Sequence, residues 1–341
     1  MVPARLRPLA DALNDARLGG RGTIGPGDLE SLPAAGVAHD HVAIAGTELL
    51  VRVPRLSQTG RAAADNLAYQ AACFARAEPS GATPRLHGVL PPSPELPMGA
   101  LVVDAIAGRP VRLPQDLAAI AGCLAAIHGL PIPAAPAPLP VQADPVAATL
   151  AVVAEQAEWL DRAGLEPESV ALIRHEIARA RAAAWPAAVH ARTLAVTDSH
   201  PGNYVIDGSG KAWFVDLEKA AYGTPAIDVA HVTLPTSTGW DGRVTGTVAA
   251  ADVAAFEAAW RAALPPEIAA AAAPWLAPLR RLVWLRSLTW FARWLARSDR
   301  AGDPWSAADL PPALKRHLHA HIDASLAPLA LARMQDELPV W

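Results

Sequence analysis

One stretch constrains the fold more than any other. From Leu194 to Glu218 the chain reads LAVTDSHPGNYVIDGSGKAWFVDLE, two short apolar runs flanking the turn Asp207-Gly-Ser-Gly210. Gly tolerates left-handed backbone, and Asp and Ser bond to their own turn, so Tyr204 to Ile206 and Lys211 to Val215 read as the two strands of a hairpin. If Ile206 pairs with Lys211, Asn203 lies opposite Phe214, and Asp216 follows two residues later at the same open end. A strand residue rises about 3.3 Å, so Asn203 and Asp216 can converge on a hard divalent cation that prefers oxygen ligands. Asp198 precedes Asn203 by five positions, with Pro201-Gly202 supplying the bend between them.

The chain around this hairpin changes character along its length. Val42 to Ile44 and Leu49 to Val53, separated by Gly46-Thr-Glu, predict a hairpin; Ala62 to Ala77 predicts a helix closed by Pro79-Ser-Gly81. Arg85 to Leu90 and Ala100 to Ile106 read as two further strands around an exposed, proline-rich loop. After Gly108-Arg-Pro110 the pattern turns helical. Leu117, Ile120, Leu124 and Ile127 have the spacing of one buried helix face between Gln115 and His128. Helical stretches follow over Pro145 to Ala163, Pro167 to Ala184 and Ala251 to Arg297, around the β-rich island past Arg192. The expected organisation is a small β-rich lobe over residues 1–107 and a mainly helical lobe over 108–341.

Composition narrows the partners. Lys+Arg 29 against Asp+Glu 33 leaves a net charge of −4, which gives no electrostatic reason to bind nucleic acid or anionic lipid. No uninterrupted apolar run reaches the roughly 18 residues of a membrane span, and the first twenty residues read as a polar amphipathic helix without the apolar core of a signal peptide. Cys73 and Cys123 lie in apolar helical stretches without a second Cys or His at ligand spacing, and read as buried thiols in a reducing compartment. The expectation is a cytoplasmic protein acting on a small molecule.

An Asp, an Asn five residues later and an Asp beyond a short hairpin resemble the catalytic loop and metal-binding Asp of kinases. More specifically, Thr197-Asp-Ser-His-Pro-Gly-Asn203, Val215-Asp-Leu-Glu218 and Gly223-Thr-Pro-Ala-Ile-Asp-Val-Ala230 resemble the aminoglycoside phosphotransferase and choline kinase superfamily. Its pattern runs His-Gly-Asp-x-His-Pro-x-Asn, Asp-Trp-Glu, Gly-x-Pro-x-x-Asp-Leu-Ala. Upstream, the strand Leu49 to Pro54, the helix Asn66 to Ala77, the hinge Val102 to Arg109 and the helix Leu117 to Pro131 fall in the same order, so the resemblance extends from Leu32 to Thr236.

This resemblance implies an α+β, protein-kinase-like two-lobed fold that uses ATP and Mg²⁺ to phosphorylate a hydroxyl of a small molecule. Asp198 is then the catalytic base, Asn203 and Asp216 are metal ligands, and Glu218 either acts on the metal indirectly or pairs with Lys219 or an arginine. His200 either approaches the transferred phosphoryl group or packs the loop, and Asp228 caps a helix that anchors it. Arg52 stands where protein kinases carry Lys, facing phosphate from the strand side opposite Leu49, Val51 and Val53, with Arg55 as its competitor. Gln70 stands at the usual acidic position, so its contact with Arg52 is expected to be a hydrogen bond. Gly36, in the turn Ala34 to Ala38, would cover the phosphates, and Asp104, Ala105 and Ile106 would form the nucleotide-facing hinge.

The sequence departs from the family pattern at Val196-Thr197, which replaces His-Gly, and a non-catalytic nucleotide-binding regulator is an alternative on the same fold. His39 and His41 share a strand face without a third ligand indicated for the pair, and a second alternative is a metal-dependent hydrolase using Asp198, His200 and His39 or His41. In the helix Leu279 to Arg297, Trp284, Leu288, Phe291 and Leu295 form one stripe and Arg286, Arg293 and Arg297 another. The first reads as core and the second as a solvated face, with Trp290 and Trp294 between them as candidates to line the acceptor pocket.

Overall fold

The computed structural model describes residues 6–20, 22–33, 36–300, 303, 305–308 and 310–339. Its N-terminal lobe is an antiparallel sheet of β1 (Leu29–Ser31), β2 (His39–Ile44), β3 (Leu49–Pro54), β4 (Leu86–Leu90) and β5 (Ala100–Asp104), in the order β1-β2-β3-β5-β4. The sheet has helices on both faces, and alternation along each strand sorts the side chains between them. On the outer face, α1 (Leu6–Asp15) inserts Leu9 and Leu13 against Val42, Ile44, Val51, Val53 and Val102. Each fully buried leucine contributes about 1.5–3 kcal/mol. On the inner face, α2 (Ala63–Ala77) packs Leu67, Tyr69 and Phe74 with Leu101 and Val103. Because Val51 and Val53 are held outward by α1, the intervening Arg52 points inward, as the alternation of β3 predicts.

The larger lobe begins with α3 (Leu117–His128), where Leu117, Ile120, Leu124 and Ile127 are all buried. It continues through α4 (Pro145–Ala157), whose first turn is capped by Asp144 accepting from Val146 and Ala147, and α5 (Pro167–Ala182). Then come the short strands β6 (Thr193–Ala195), β7 (Tyr204–Ile206), β8 (Ala212–Phe214) and β9 (Ala221–Gly223), with β6 paired to β9 and β7 to β8. The helices α6 (Ala226–Thr233), α7 (Pro235–Thr238), α8 (Ala250–Ala262), α9 (Pro266–Ala272), α10 (Leu276–Ser298), α11 (Pro312–Leu326) and α12 (Pro328–Glu337) complete it. Leu279, Leu282, Leu285 and Leu288 are fully buried along α10, which runs through the centre of the lobe against α4 and α6. Among the described residues no helix is long and apolar enough to cross a membrane. Both cysteines are buried, and burial pushes each thiol up to about 12.

The β7–β8 hairpin differs from its expected register by one residue: Ile206 pairs with Ala212 rather than Lys211, and Tyr204 with Phe214. Asp207 is the cause. Its carboxylate accepts from the Ser209 and Lys211 amides and from the Trp213 indole, stabilising a turn one residue longer. Asn203 therefore aligns with Val215, whose amide bonds to the Asn203 carbonyl at 2.9 Å, and Asp216 follows directly.

The hinge is clamped onto this hairpin. Arg109 and Ile206 exchange two backbone hydrogen bonds of 2.9 Å, and a Cβ on Gly108 would lie 2.4 Å from the Ile206 carbonyl oxygen. Glycine is required by that approach rather than by its dihedrals. Gly108→Ala is expected to lower unfolding stability by about 1–3 kcal/mol through the forced backbone shift, with chemical denaturation as the check; an unchanged midpoint would show that the contact yields freely.

Candidate active site

A cleft of about 1210 Å³ opens between the lobes and is lined by both. That exceeds the roughly 300–1,000 Å³ of a pocket for one drug-sized ligand, leaving room for two molecules side by side.

The loop entering the cleft from β6 is held by one buried carboxylate. Asp228 on α6 accepts from the Val196 and Thr197 amides, each at 2.7 Å, and from His128 Nε2 at 3.0 Å. The Trp260 indole donates to His128 Nδ1 at 3.0 Å, and since indole only donates, the imidazole proton must sit on Nε2, facing Asp228. Asp228 thus anchors the loop as expected but does not cap its helix, whose N-cap is Pro225. Thr197 has φ +62°, a left-handed conformation that costs a β-branched residue about 1–3 kcal/mol. The Gly of the resembling pattern would take it freely. Here the Thr197 hydroxyl donates to the Lys219 carbonyl at 2.8 Å and ties the loop to the segment after β8.

Asp198, next along the loop, lines the cleft with its carboxylate 2.6 Å from Lys219 Nζ. Burial alone would raise the Asp198 carboxyl, but Lys219, His200 and His231 outweigh it and hold it well below the usual range, so it is ionised. Lys219 keeps its proton for the reciprocal reason: burial opposes the charge, and Asp198, Glu218 and Asp216 more than restore it. Lys219 is the functional residue that sequence reasoning missed. The sequence pairs it only with Glu218, yet the two residues lie in a turn closed by the Ala220 amide on the Leu217 carbonyl at 3.3 Å, and they meet different neighbours: Glu218 faces Gln58 and Lys219 faces Asp198. His200 Nδ1 accepts from the Gly202 amide at 3.2 Å, leaving its other nitrogen as a donor, and the residue lines the cleft.

Asn203 and Asp216 do come together at the mouth of the hairpin. The Asn203 amide nitrogen donates to the Asp198 carbonyl at 2.7 Å, leaving the amide oxygen as the atom it can offer to a cation. Arg52 reaches across from β3, with Nη2 2.5 Å from Asp216 Oδ1 and Nη1 2.8 Å from the Val215 carbonyl. Burial would raise the Asp216 carboxyl, but Arg52 and His39 draw it below the usual range. Arg52 Nε is buried without a hydrogen-bond partner, a donor left over for a ligand. Its expected contact with Gln70 is not formed: the Gln70 carbonyl oxygen faces His39 Nε2 at 3.2 Å, behind the cleft wall, because Asp216 supplies the stronger acceptor. Arg55 is engaged elsewhere, by Asp40 at 2.5 Å.

Glu218 accepts from the Gln58 amide and lies 3.6 Å from His39 Nδ1, rather than pairing with Lys219 or an arginine. Burial and the neighbouring Asp216 push Glu218 up to about 8, while burial and Arg52 push His39 down to about 4, so the His39 imidazole is neutral. Ligand atoms of His39, Asp216 and Glu218 all lie within 4.8 Å of one another. The third ligand that the sequence did not reveal for the histidine pair is thus supplied from the other lobe, to His39; His41 instead contacts Arg52.

Gly36 lines the cleft, and a Cβ there would meet nothing within 4 Å; Ala34 and Ala35 of its turn lie outside the described residues. Of the hinge residues, Asp104 and Ile106 line the cleft, whereas the Ala105 amide turns back to the Glu48 carbonyl. On α10 the expectation for the arginine stripe is overturned. Arg286, Arg293 and Arg297 line the cleft with Trp290 and Phe291, and Trp294 is buried against His319. The cleft follows the edge where the two stripes meet, which helical spacing cannot reveal.

A two-lobed fold with an acid, an amide and a second acid lining one cleft between the lobes is kinase-like. The sequence model of the phosphotransferase enzyme family matches residues 32–266, and the chain belongs to that family. A comparison with curated proteins finds no match. Among solved structures the chain is similar to a choline/ethanolamine kinase family protein from Mesorhizobium loti, with 18% identity, 93% of this chain and 99% of that one covered, and a TM-score of 0.56. It is also similar to the macrolide 2'-phosphotransferase of Brachybacterium faecium (15% identity, 94% and 98% covered, TM-score 0.52) and to the choline kinase of Cryptosporidium parvum (12%, 95% and 96%, TM-score 0.57). At these identities the likeness is one of fold.

Proposed function

We propose that this chain is a cytoplasmic, ATP-dependent kinase that phosphorylates a hydroxyl group of a small molecule, with residues 1–107 binding the nucleotide and 108–341 carrying the catalytic loop and acceptor site. The observation that carries this reading is the convergence of Asp198, Asn203, Asp216 and Arg52 on one interlobe cleft. In the transfer, the acceptor oxygen bonds to the γ-phosphorus, the bond to the β,γ-bridging oxygen breaks, and the acceptor proton passes to Asp198, yielding a phosphate monoester and ADP. Asp198 suits this role because it is ionised and Lys219 fixes its position.

The oxygen donors Asn203, Asp216 and Glu218 fit Mg²⁺, which would neutralise the nucleotide phosphates. His39, held neutral, adds an imidazole at the same place. Arg52 would exchange Asp216 for phosphate oxygens, its unpartnered Nε included, and the His200 N–H would face the transferred group. Gly36 would lie over the phosphates, with Asp104 and Ile106 at the base. Gln70, set behind the wall, supports His39 instead of touching nucleotide.

Arg52 and Arg55 give the test of the nucleotide side. Arg52→Ala is expected to raise the KM for ATP by about tenfold or more, the worth of a charge-assisted hydrogen bond, while Arg55→Ala, removing only a contact to Asp40, changes it little. The opposite ranking in steady-state kinetics of folded variants would place the phosphates elsewhere.

A further inference from the structure

Past the catalytic loop the cleft continues along α10, and that wall is chemically unlike a site for a cationic acceptor. Trp290 meets Trp240 edge-on at 5.1 Å and Trp305 at 6.2 Å, forming an aromatic floor. Guanidinium groups surround it. Arg293 lies 4.9 Å over the Trp305 ring and pairs with Glu155 at 3.2 Å; Arg243 pairs with Asp241 at 2.6 Å; Arg297 pairs with Asp303 at 2.9 Å. Glu155 and Asp241 are thus engaged by arginines already, and the Trp305 face that could hold a quaternary amine is covered by Arg293.

Arg286 stands apart. Among the described residues its guanidinium makes one hydrogen bond, from Nη2 to the Thr197 carbonyl at 3.1 Å, and no carboxylate lies within 4.0 Å of it. Thr197 immediately precedes Asp198, so this half-buried charge stands beside the proposed base, and it lines the cleft. A guanidinium presents a planar fork suited to two oxygens of one carboxylate or phosphate. A polycation or choline-like acceptor would instead meet Arg286 and a wall whose described carboxylates Glu155, Asp241 and Asp303 are already held by Arg293, Arg243 and Arg297.

We propose that the acceptor is an anionic hydroxy compound, an apolar or aromatic body bearing a carboxylate near its hydroxyl, with Arg286 holding the carboxylate while Asp198 takes the hydroxyl proton. This rests on the kinase reading above, and it assigns Arg286 the choice of acceptor. The transfer itself is the one already written, with the phosphate monoester formed on the hydroxy acid.

Three matched probes test it: 3-phenyllactate, its neutral methyl ester, and phenylalaninol, which carries an ammonium group. Binding is measured by titration calorimetry with the full chain, once with saturating Mg·ADP and once without nucleotide. The acid is expected to bind about tenfold or more tightly than the ester, as one charge-assisted hydrogen bond allows, and phenylalaninol most weakly. Arg286→Met should reduce the acid-over-ester preference to near unity, and Arg286→Lys should retain part of it. Absence of an acid preference, tighter binding of phenylalaninol, or an Arg286→Met variant that loses Mg·ADP affinity but keeps the preference would each overturn the proposal. Failure of the kinase reading shows separately, as absent Mg·ADP binding, because the acid-over-ester comparison requires no turnover.

Discussion

Asp198→Asn is expected to lower turnover about 10²- to 10⁴-fold, the range of a positioned general base, with Mg·ATP affinity largely intact. Asn retains the shape of the side chain and a carbonyl oxygen for Lys219, but it cannot accept the hydroxyl proton. The wild-type carboxylate is kept ionised by Lys219, His200 and His231 against the effect of burial. Loss of the base should therefore appear in kcat, while the contacts proposed for the nucleotide, from Arg52, Asn203 and Asp216, should persist. Steady-state kinetics beside nucleotide titration separates the two; near-wild-type turnover would remove Asp198 from the chemistry.

The largest expected stability effect lies at Asp228, which is fully buried and accepts from three donors on two other segments. Asp228→Ala leaves the Val196 and Thr197 amides and the His128 imidazole without that acceptor. At about 1–3 kcal/mol for each buried unsatisfied group, the cost is at least about 3 kcal/mol. Activity should fall too, because the strained Thr197 backbone loses the partner that holds it beside Asp198. Asp228→Asn, which can still accept from some of the donors, should fall between the two. Denaturant midpoints of the three proteins check the ranking, and an Asp228→Ala midpoint equal to wild type would mean that the loop is held by its other contacts.

Local alternation and turn chemistry carried much of this architecture in the sequence. Val51 and Val53 against α1 determine where Arg52 points, and the spacing of Asp198, Asn203 and Asp216 around a tight hairpin brings them to one cleft. Contacts between distant segments were not legible. Whether Arg52 meets Gln70 or Asp216 depends on how the lobes stack, since the Arg52 to Asp216 contact joins β3 to the segment after β8. Lys219 could be paired with Asp198 only once β9 is set against β6. The register error had a local cause in Asp207, whose side chain competes with the ladder for the Ser209 and Lys211 amides. On α10, periodicity separates aromatic from basic faces but cannot say which neighbour each face meets, and there the arginines line the cleft.

The central claim is that the cleft transfers phosphate from ATP to a hydroxyl using Asp198 with metal-holding Asp216. The most direct measurement follows label from γ-³²P-ATP into small hydroxyl compounds, comparing acids, neutral alcohols and amines with wild type, Asp198→Asn and Asp216→Ala, with and without Mg²⁺. The account predicts a labelled phosphate monoester from wild type only when Mg²⁺ is present, and its loss in both variants. No labelled ester from any acceptor, or the same yield from wild type and Asp198→Asn, would contradict it.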